Sequence, residues 1–160
     1  MNAVSNAIRV ELSSSEYLQA MQVGIMRSCE DRKKNRGHAY GARREDAEML
    51  DIRGAVGEAV VAKHLNVYWL GTGRFGGDDV GQYQVRSSGW NPPFLCAHPK
   101  DIDDKPYISV YVCEGVGLIY GWMLGAEAKQ PRYWADKWNN KRPAFWVPHD
   151  HLRPMEELPR

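Results

Sequence analysis

GGDDVGQYQVRSS, residues 76–88, turns from a loop carrying two aspartates into an alternating strand that bears a cation. Gly76, Gly77 and Gly81 free the backbone around Asp78 and Asp79, so the acids stand where the chain leaves a turn. Successive strand side chains point to opposite faces. Tyr83, Val85 and Ser87 therefore share one face, and Gln82, Gln84, Arg86 and Ser88 share the other. A carboxylate, an amide oxygen and a guanidinium meet in one neighbourhood, a set that suits a metal-bound phosphate better than a hydrophobic core.

Upstream of this stretch, a helix is expected over residues 47–65, with Ile52, Ala55, Val56, Ala59 and Val60 as its apolar face. Glu58 lies on the edge of that face among Gly54, Ala55, Gly57 and Ala62. These small neighbours let the helix approach a sheet closely and carry a carboxylate to its edge, although an exposed glutamate is also a good helix former. Earlier still, residues 8–12 alternate as a strand, and Ser13 to Ser15 offer capping hydroxyls to a helix running to about Lys34. Leu18, Met21, Ile25 and Cys29 form its expected apolar stripe. A polar connector with Gly37 and Gly41 follows.

Residues 67–70 read as a strand or strand-like approach, and the glycine-rich turn after them lacks the lysine and hydroxyl of a phosphate-cradling P-loop. Downstream, a turn over residues 89–93 leads to a short strand at 94–97. The acidic run 100–104 lacks the glycine and closing glutamate of an EF-hand and reads as a solvated turn. Residues 107–113 and 118–124 form a hairpin rich in β-branched and aromatic side chains. Glu127 and Lys129 begin a short solvated helix. Tyr133, Trp134 and Trp138 are expected to pack on the sheet, although such rings also stack on bases. Residues 144–147 make the last strand, and His149 and His151 without a third ligand are surface histidines.

One hundred and sixty residues build one substantial core, and nothing in the sequence calls for a second domain. The single domain divides into an N-terminal strand, helix and basic connector (1–46), a core (47–148) and a tail (149–160). With 43% apolar and 26% charged residues, composition excludes wholesale disorder. Arg27, Arg32, Lys33, Lys34, Arg36, Arg43, Arg44 and Arg53 cluster in one third of the chain, but Glu30, Asp31, Glu45 and Asp46 dilute them into a mixed, solvated face. Cys29, Cys96 and Cys113 are odd in number and widely spaced, so they read as reduced, mostly buried thiols. No apolar segment is long enough to cross a bilayer, and the expectation is a soluble cytoplasmic protein.

A helix with Glu58, a loop with Asp79 and a strand with Gln84, Val85 and Arg86 together resemble the PD-(D/E)xK, or restriction-endonuclease-like, nuclease superfamily, and most closely its small phage- and prophage-encoded members. The resemblance covers roughly residues 51–147. It implies an α/β fold with a central mixed β-sheet flanked by helices, and metal-dependent hydrolysis of DNA phosphodiester bonds. On that footing Asp79 is the principal ligand of Mg2+ or Mn2+, with Asp78 as the alternative. Glu58 is the helix carboxylate, Gln84 fills the (D/E) position through its carbonyl, and Arg86 fills the lysine position. Arg43, Arg44, Arg53, Lys63 and Arg74 are the cations expected to meet DNA, and a homodimer is the usual solution where both strands are cut.

Two departures from the superfamily pattern shape the expectation. Gln84 brings a neutral oxygen where a hard cation prefers a carboxylate. Arg86 keeps its charge at any ordinary pH, so it steadies a phosphate but takes no proton from water. The alternatives are a degenerate site that binds nucleic acid or a partner without cutting, and a small phage accessory protein that binds a host protein through its aromatic surface.

Overall fold

The computed structural model describes residues 6–36, 44–72 and 77–160. Strand β1, Ile8–Glu11, runs into helix α1, Ser14–Lys33, through a capping box. The Ser13 hydroxyl accepts the Glu16 amide, and the Glu16 carboxylate accepts the Ser13 amide at 2.6 Å. Helix α2 spans Arg44–Leu65, and strand β2 is Gln84–Ser88. After β3, Phe94–Ala97, the hairpin β4, Pro106–Cys113, and β5, Val116–Leu124, supplies the long strands. Short helix α3, Gly125–Ala128, leads to β6, Trp134–Ala135, and β7, Ala144–Pro148.

The fold is α/β, with a mixed sheet flanked by helices. Its four strands lie in the order β1-β5-β4-β2, antiparallel except that β2 runs parallel to β4 with Gln84 opposite Tyr107 and Arg86 opposite Ser109. Period-two alternation gives this sheet two apolar faces. Val85, Ile108, Val110 and Ile119 meet Val56 and Val60 of α2 in the main core. Tyr107 and Met123 point the other way, into a second core with Leu95, Ala97 and Val147 beneath a three-stranded sheet, β3-β7-β6. Burying each aliphatic side chain stabilises the fold by about 1.5–3 kcal/mol. Helix α2 lies close enough that a Cβ at Gly57 would collide with Ser87 of β2. That contact fixes how closely α2 lies on the sheet, and with it the position of the following residue, Glu58.

Several expectations from sequence fail here. The buried face of α1 is Ala20, Gly24, Ser28 and Asp31, whereas Leu18, Ile25 and Met26 are exposed. Small residues won that face because α1 packs directly on α2, and a Cβ at Gly24 would run into the Ile52 backbone. Residues 67–70 form no strand, and Tyr68 and Leu70 are exposed. Cys29 and Cys113 are exposed and Cys96 only half-buried, so the thiols are not core residues. Trp134 and Trp138 are about half exposed, and of the three aromatic residues Tyr133 alone is buried. Residues 149–160, the tail of the domain, pack back onto it. Met155 and Leu158 enter the main core, Arg153 pairs its backbone with Trp122, and the Tyr83 hydroxyl donates to the Pro159 carbonyl at 2.5 Å.

Candidate active site

Glu58 comes from the α2 surface that faces α1, and it is 6% exposed. Arg27 of α1 donates to both of its oxygens, at 2.7 and 2.9 Å, and the Trp69 indole donates to Oε2 at 3.1 Å. The same guanidinium donates through Nε to the Thr72 carbonyl at 2.9 Å, tying the segment after α2 to the pair. Burial works against the Arg27 charge, but Glu58, with Asp79 and Asp51 behind it, outweighs that and holds its pKa above the usual range.

Asp79 precedes β2 in a tight turn in which Val80 bridges to Tyr83. Its Oδ2 accepts the Val85 amide at 2.8 Å. Burial, and then the negative charge of Glu58, push its carboxyl up to about 6, against the Val85 hydrogen bond and the charges of Arg86 and Arg27. Glu58 and Asp79 therefore share one electrostatic neighbourhood although twenty residues and a change of element separate them. A carboxyl titrating near neutrality beside a second buried carboxylate is the environment in which proton-transfer and metal-binding groups are found.

Gln84 and Arg86 leave this pair for other partners. The Gln84 amide donates to Asp78 Oδ1 at 2.9 Å, and Lys105 donates to Asp78 Oδ2 at 2.6 Å. The Lys105 hydrogen bond holds the Asp78 carboxyl below its ordinary range despite burial. Arg86 donates to the Cys96 carbonyl at 3.2 Å and to Asp101 Oδ1 at 2.9 Å, with its guanidinium 4.7 Å from the Tyr107 ring centroid. Asp101 also accepts the His98 amide, so the acidic turn expected to be solvated holds a buried acid. Glu127 and Lys129 are equally engaged, with Arg153 and with Asp103.

Of the cations expected at DNA, Arg43 and Arg74 lie outside the described residues, and Arg44 is the first residue of α2. Lys63 is committed to Glu16 and to the Glu11 carbonyl, at 2.7 and 2.9 Å. The Arg53 guanidinium packs over Gly89 at the end of β2.

Arg27, Trp69, Lys105 and Asp101 complete the site and were not singled out from sequence. Arg27 carried a faint signal, since it follows Gly24 by one turn on the buried side of α1. Lys105 carried none, because its approach to Asp78 depends on the parallel β2–β4 register.

Among the described residues no group of three or more His, Cys, Asp or Glu side chains converges as a ready metal cage. The donors fit a cation that keeps most of its waters and takes one or two carboxylates, which is how magnesium is usually held. Asp79 offers an oxygen beyond the one that accepts Val85, and Glu58 offers a second charge whose present partner is Arg27. Compared with family models, curated proteins and solved structures, the chain gives no match.

Proposed function

We propose that this chain is a metal-dependent nuclease that hydrolyses DNA phosphodiester bonds. The observation that carries the reading is the Asp79 carboxyl, raised to about 6 by burial and by Glu58. A buried acid whose charge is opposed by burial and by a neighbouring carboxylate is relieved by a divalent cation. Asp79 and Glu58 would hold Mg2+ or Mn2+, with the Gln84 carbonyl or Asp78 as a further ligand. The ion, when bound, supplies charge neutralisation at the phosphate and a more acidic water.

The chain's own residues divide the remaining work. Asp79, anchored by the Val85 amide, would be held as a ligand, and the proton of an attacking water would pass to the substrate phosphate. Arg86, permanently charged and fixed by Asp101, presents a cation to a non-bridging phosphate oxygen but takes no proton. Lys105, immediately before β4 and paired with Asp78, is a second cation. The proposal carries with it a cytoplasmic setting, that of the host cell for a phage-encoded protein, and a homodimer where both strands are cut.

One observation favours a second reading, a degenerate site that binds nucleic acid or a protein partner without cutting. Both oxygens of Glu58 are already engaged by Arg27 and Trp69, so a cation must compete with a buried ion pair. Calorimetric titration with Mg2+ and Mn2+, together with incubation on plasmid and single-stranded DNA, separates the two. Cleavage lost in Asp79→Ala but kept in Glu156→Ala, an exposed carboxylate near the C-terminus, supports hydrolysis. Metal-independent DNA binding that weakens with salt, and no cleavage, supports the second reading.

A further inference from the structure

The outer face of the three-stranded sheet carries an aromatic array that the proposed hydrolytic site does not use. Trp146 on β7 stands opposite Cys96 on β3, and its indole is pinned to the Ala135 carbonyl at 3.1 Å. Trp138 meets it edge to face at 6.3 Å between centroids, and Trp90, from the turn after β2, stacks on Trp138 at 5.7 Å. Trp90 is 69% exposed and Trp138 is 49% exposed. Soluble proteins bury most of their large aromatic surface, so indoles ordered against each other and left open to solvent mark a binding face.

The segment that carries Trp138 is rich in cations. Between residues 132 and 142 four cations, Arg132, Lys137, Lys141 and Arg142, stand against a single acid, Asp136. That acid, on the surface, accepts the Asn140 and Lys141 amides at 3.1 and 2.9 Å and so fixes its own loop. Lys137 Nζ lies 3.3 Å from the Phe94 ring centroid and 5.8 Å from that of Trp138, so an ammonium stands among the rings. Flat π surfaces interleaved with cations complement a ligand that is itself flat, aromatic and anionic along its length. Unpaired nucleotides have that character, whereas a duplex hides its base faces in the stack.

We propose that Trp90, Trp138 and Trp146 form a stacking platform for single-stranded DNA, with Lys137 and Lys141 meeting its phosphates. The choice of DNA rests on the nuclease reading, which this inference extends to a substrate with a single-stranded stretch. Trp90 follows Arg86 by four residues along the strand and turn that leave the candidate site, a separation of at most about 14 Å of chain.

The test is fluorescence anisotropy of a labelled oligothymidine of about 12 nucleotides, within the usual range for such sites, titrated with the full chain in EDTA. The expected result is tighter binding to the single strand than to a duplex of equal length, weakening with salt. Trp90→Ala and Trp138→Ala should each weaken it about five-fold or more, the loss expected for one stacked base. Trp138→Phe should recover most of the affinity. Trp90 stands on an exposed turn, so its variant keeps the test valid if Trp138→Ala unfolds. Unchanged affinity in both variants, equal affinity for duplex, absence of binding, or tryptophan-dependent binding of an oligosaccharide instead would each overturn the proposal. Because EDTA removes hydrolysis from the measurement, platform-dependent binding by a chain that never cuts defeats only the nuclease reading. Cleavage that is indifferent to both tryptophans defeats only this one.

Discussion

Arg27 on α1 grips both carboxylate oxygens of Glu58 on α2, and both side chains are largely removed from solvent, at 14% and 8% exposure. Breaking one side of such a pair strands the other charge in a poorly solvated site. Arg27→Ala is therefore expected to cost about 3–5 kcal/mol, seen as a lower urea midpoint. The double change Arg27→Met with Glu58→Leu should recover most of that loss, because it removes both charges together. A double variant as unstable as Arg27→Ala would mean that packing, not charge, holds the two helices.

Asp79 gives stability an unusual pH dependence. Its folded pKa, about 6, lies above the ordinary aspartate value of 3.8, so the folded state holds the proton more tightly than the unfolded chain. Stability from this group is thus greatest below the unfolded value and declines as pH rises through about 6. The penalty at neutral pH is of order 2–3 kcal/mol. Asp78 and Glu16, both shifted downward by lysine partners, act in the opposite sense at lower pH. The comparison of wild type with Asp79→Asn isolates the Asp79 share. Urea unfolding at pH 4.5 and 7.5 should show Asp79→Asn gaining relative stability at the higher pH. No difference between the two pH values would refute the raised carboxyl.

Much of the fold was legible because alternation and turn chemistry agree over residues 76–124. Val85 and Arg86 do face opposite sides, the hairpin forms where two β-rich runs flank Gly115, and the charge of Glu58 reaches Asp79. What the sequence hid depends on long-range packing. A stripe of Leu18, Ile25 and Cys29 looks like a core face, yet α1 packs on a helix, and Gly24 permits a contact no bulky residue could make. Asp101 reads as a solvated turn residue until β3 brings the Cys96 carbonyl and Arg86 beside it. Gln84 was expected to aim its carbonyl at a cation, but the amide end of its side chain is donated to Asp78. That hydrogen bond follows from Lys105 having fixed the Asp78 carboxylate, which no local pattern reveals.

The α1–α2 contact yields its own prediction. Gly24→Ala places a methyl against the Ile52 backbone, which cannot yield as a side-chain tip could. A loss of about 1–3 kcal/mol is expected, and with it a looser Arg27–Glu58 pair one turn away. Leu18→Ala, at a position 52% exposed, should change stability by no more than about 0.5 kcal/mol. Thermal and urea unfolding of the two variants would rank the small-residue face above the apolar one. The reverse order would restore the stripe read from periodicity.

Arg86 combines a structural and a proposed chemical role, and two substitutions divide them. Arg86→Ala leaves Asp101, only 7% exposed, with the His98 amide but without its cation, and the expected cost is about 2–4 kcal/mol. Arg86→Lys keeps the charge but not the fork that reaches both the Cys96 carbonyl and Asp101, so its urea midpoint should fall between the other two. Cleavage, measured where all three proteins remain folded, should follow charge rather than hydrogen-bond count. Arg86→Lys should stay within about ten-fold of wild type and Arg86→Ala should drop about 10²–10³-fold, as for other removed transition-state donors. Equal cleavage by Arg86→Ala and wild type would confine Arg86 to holding Asp101 and the second sheet in place, and the phosphate contact would have to come from Lys105. Lys105→Ala would then show the loss instead.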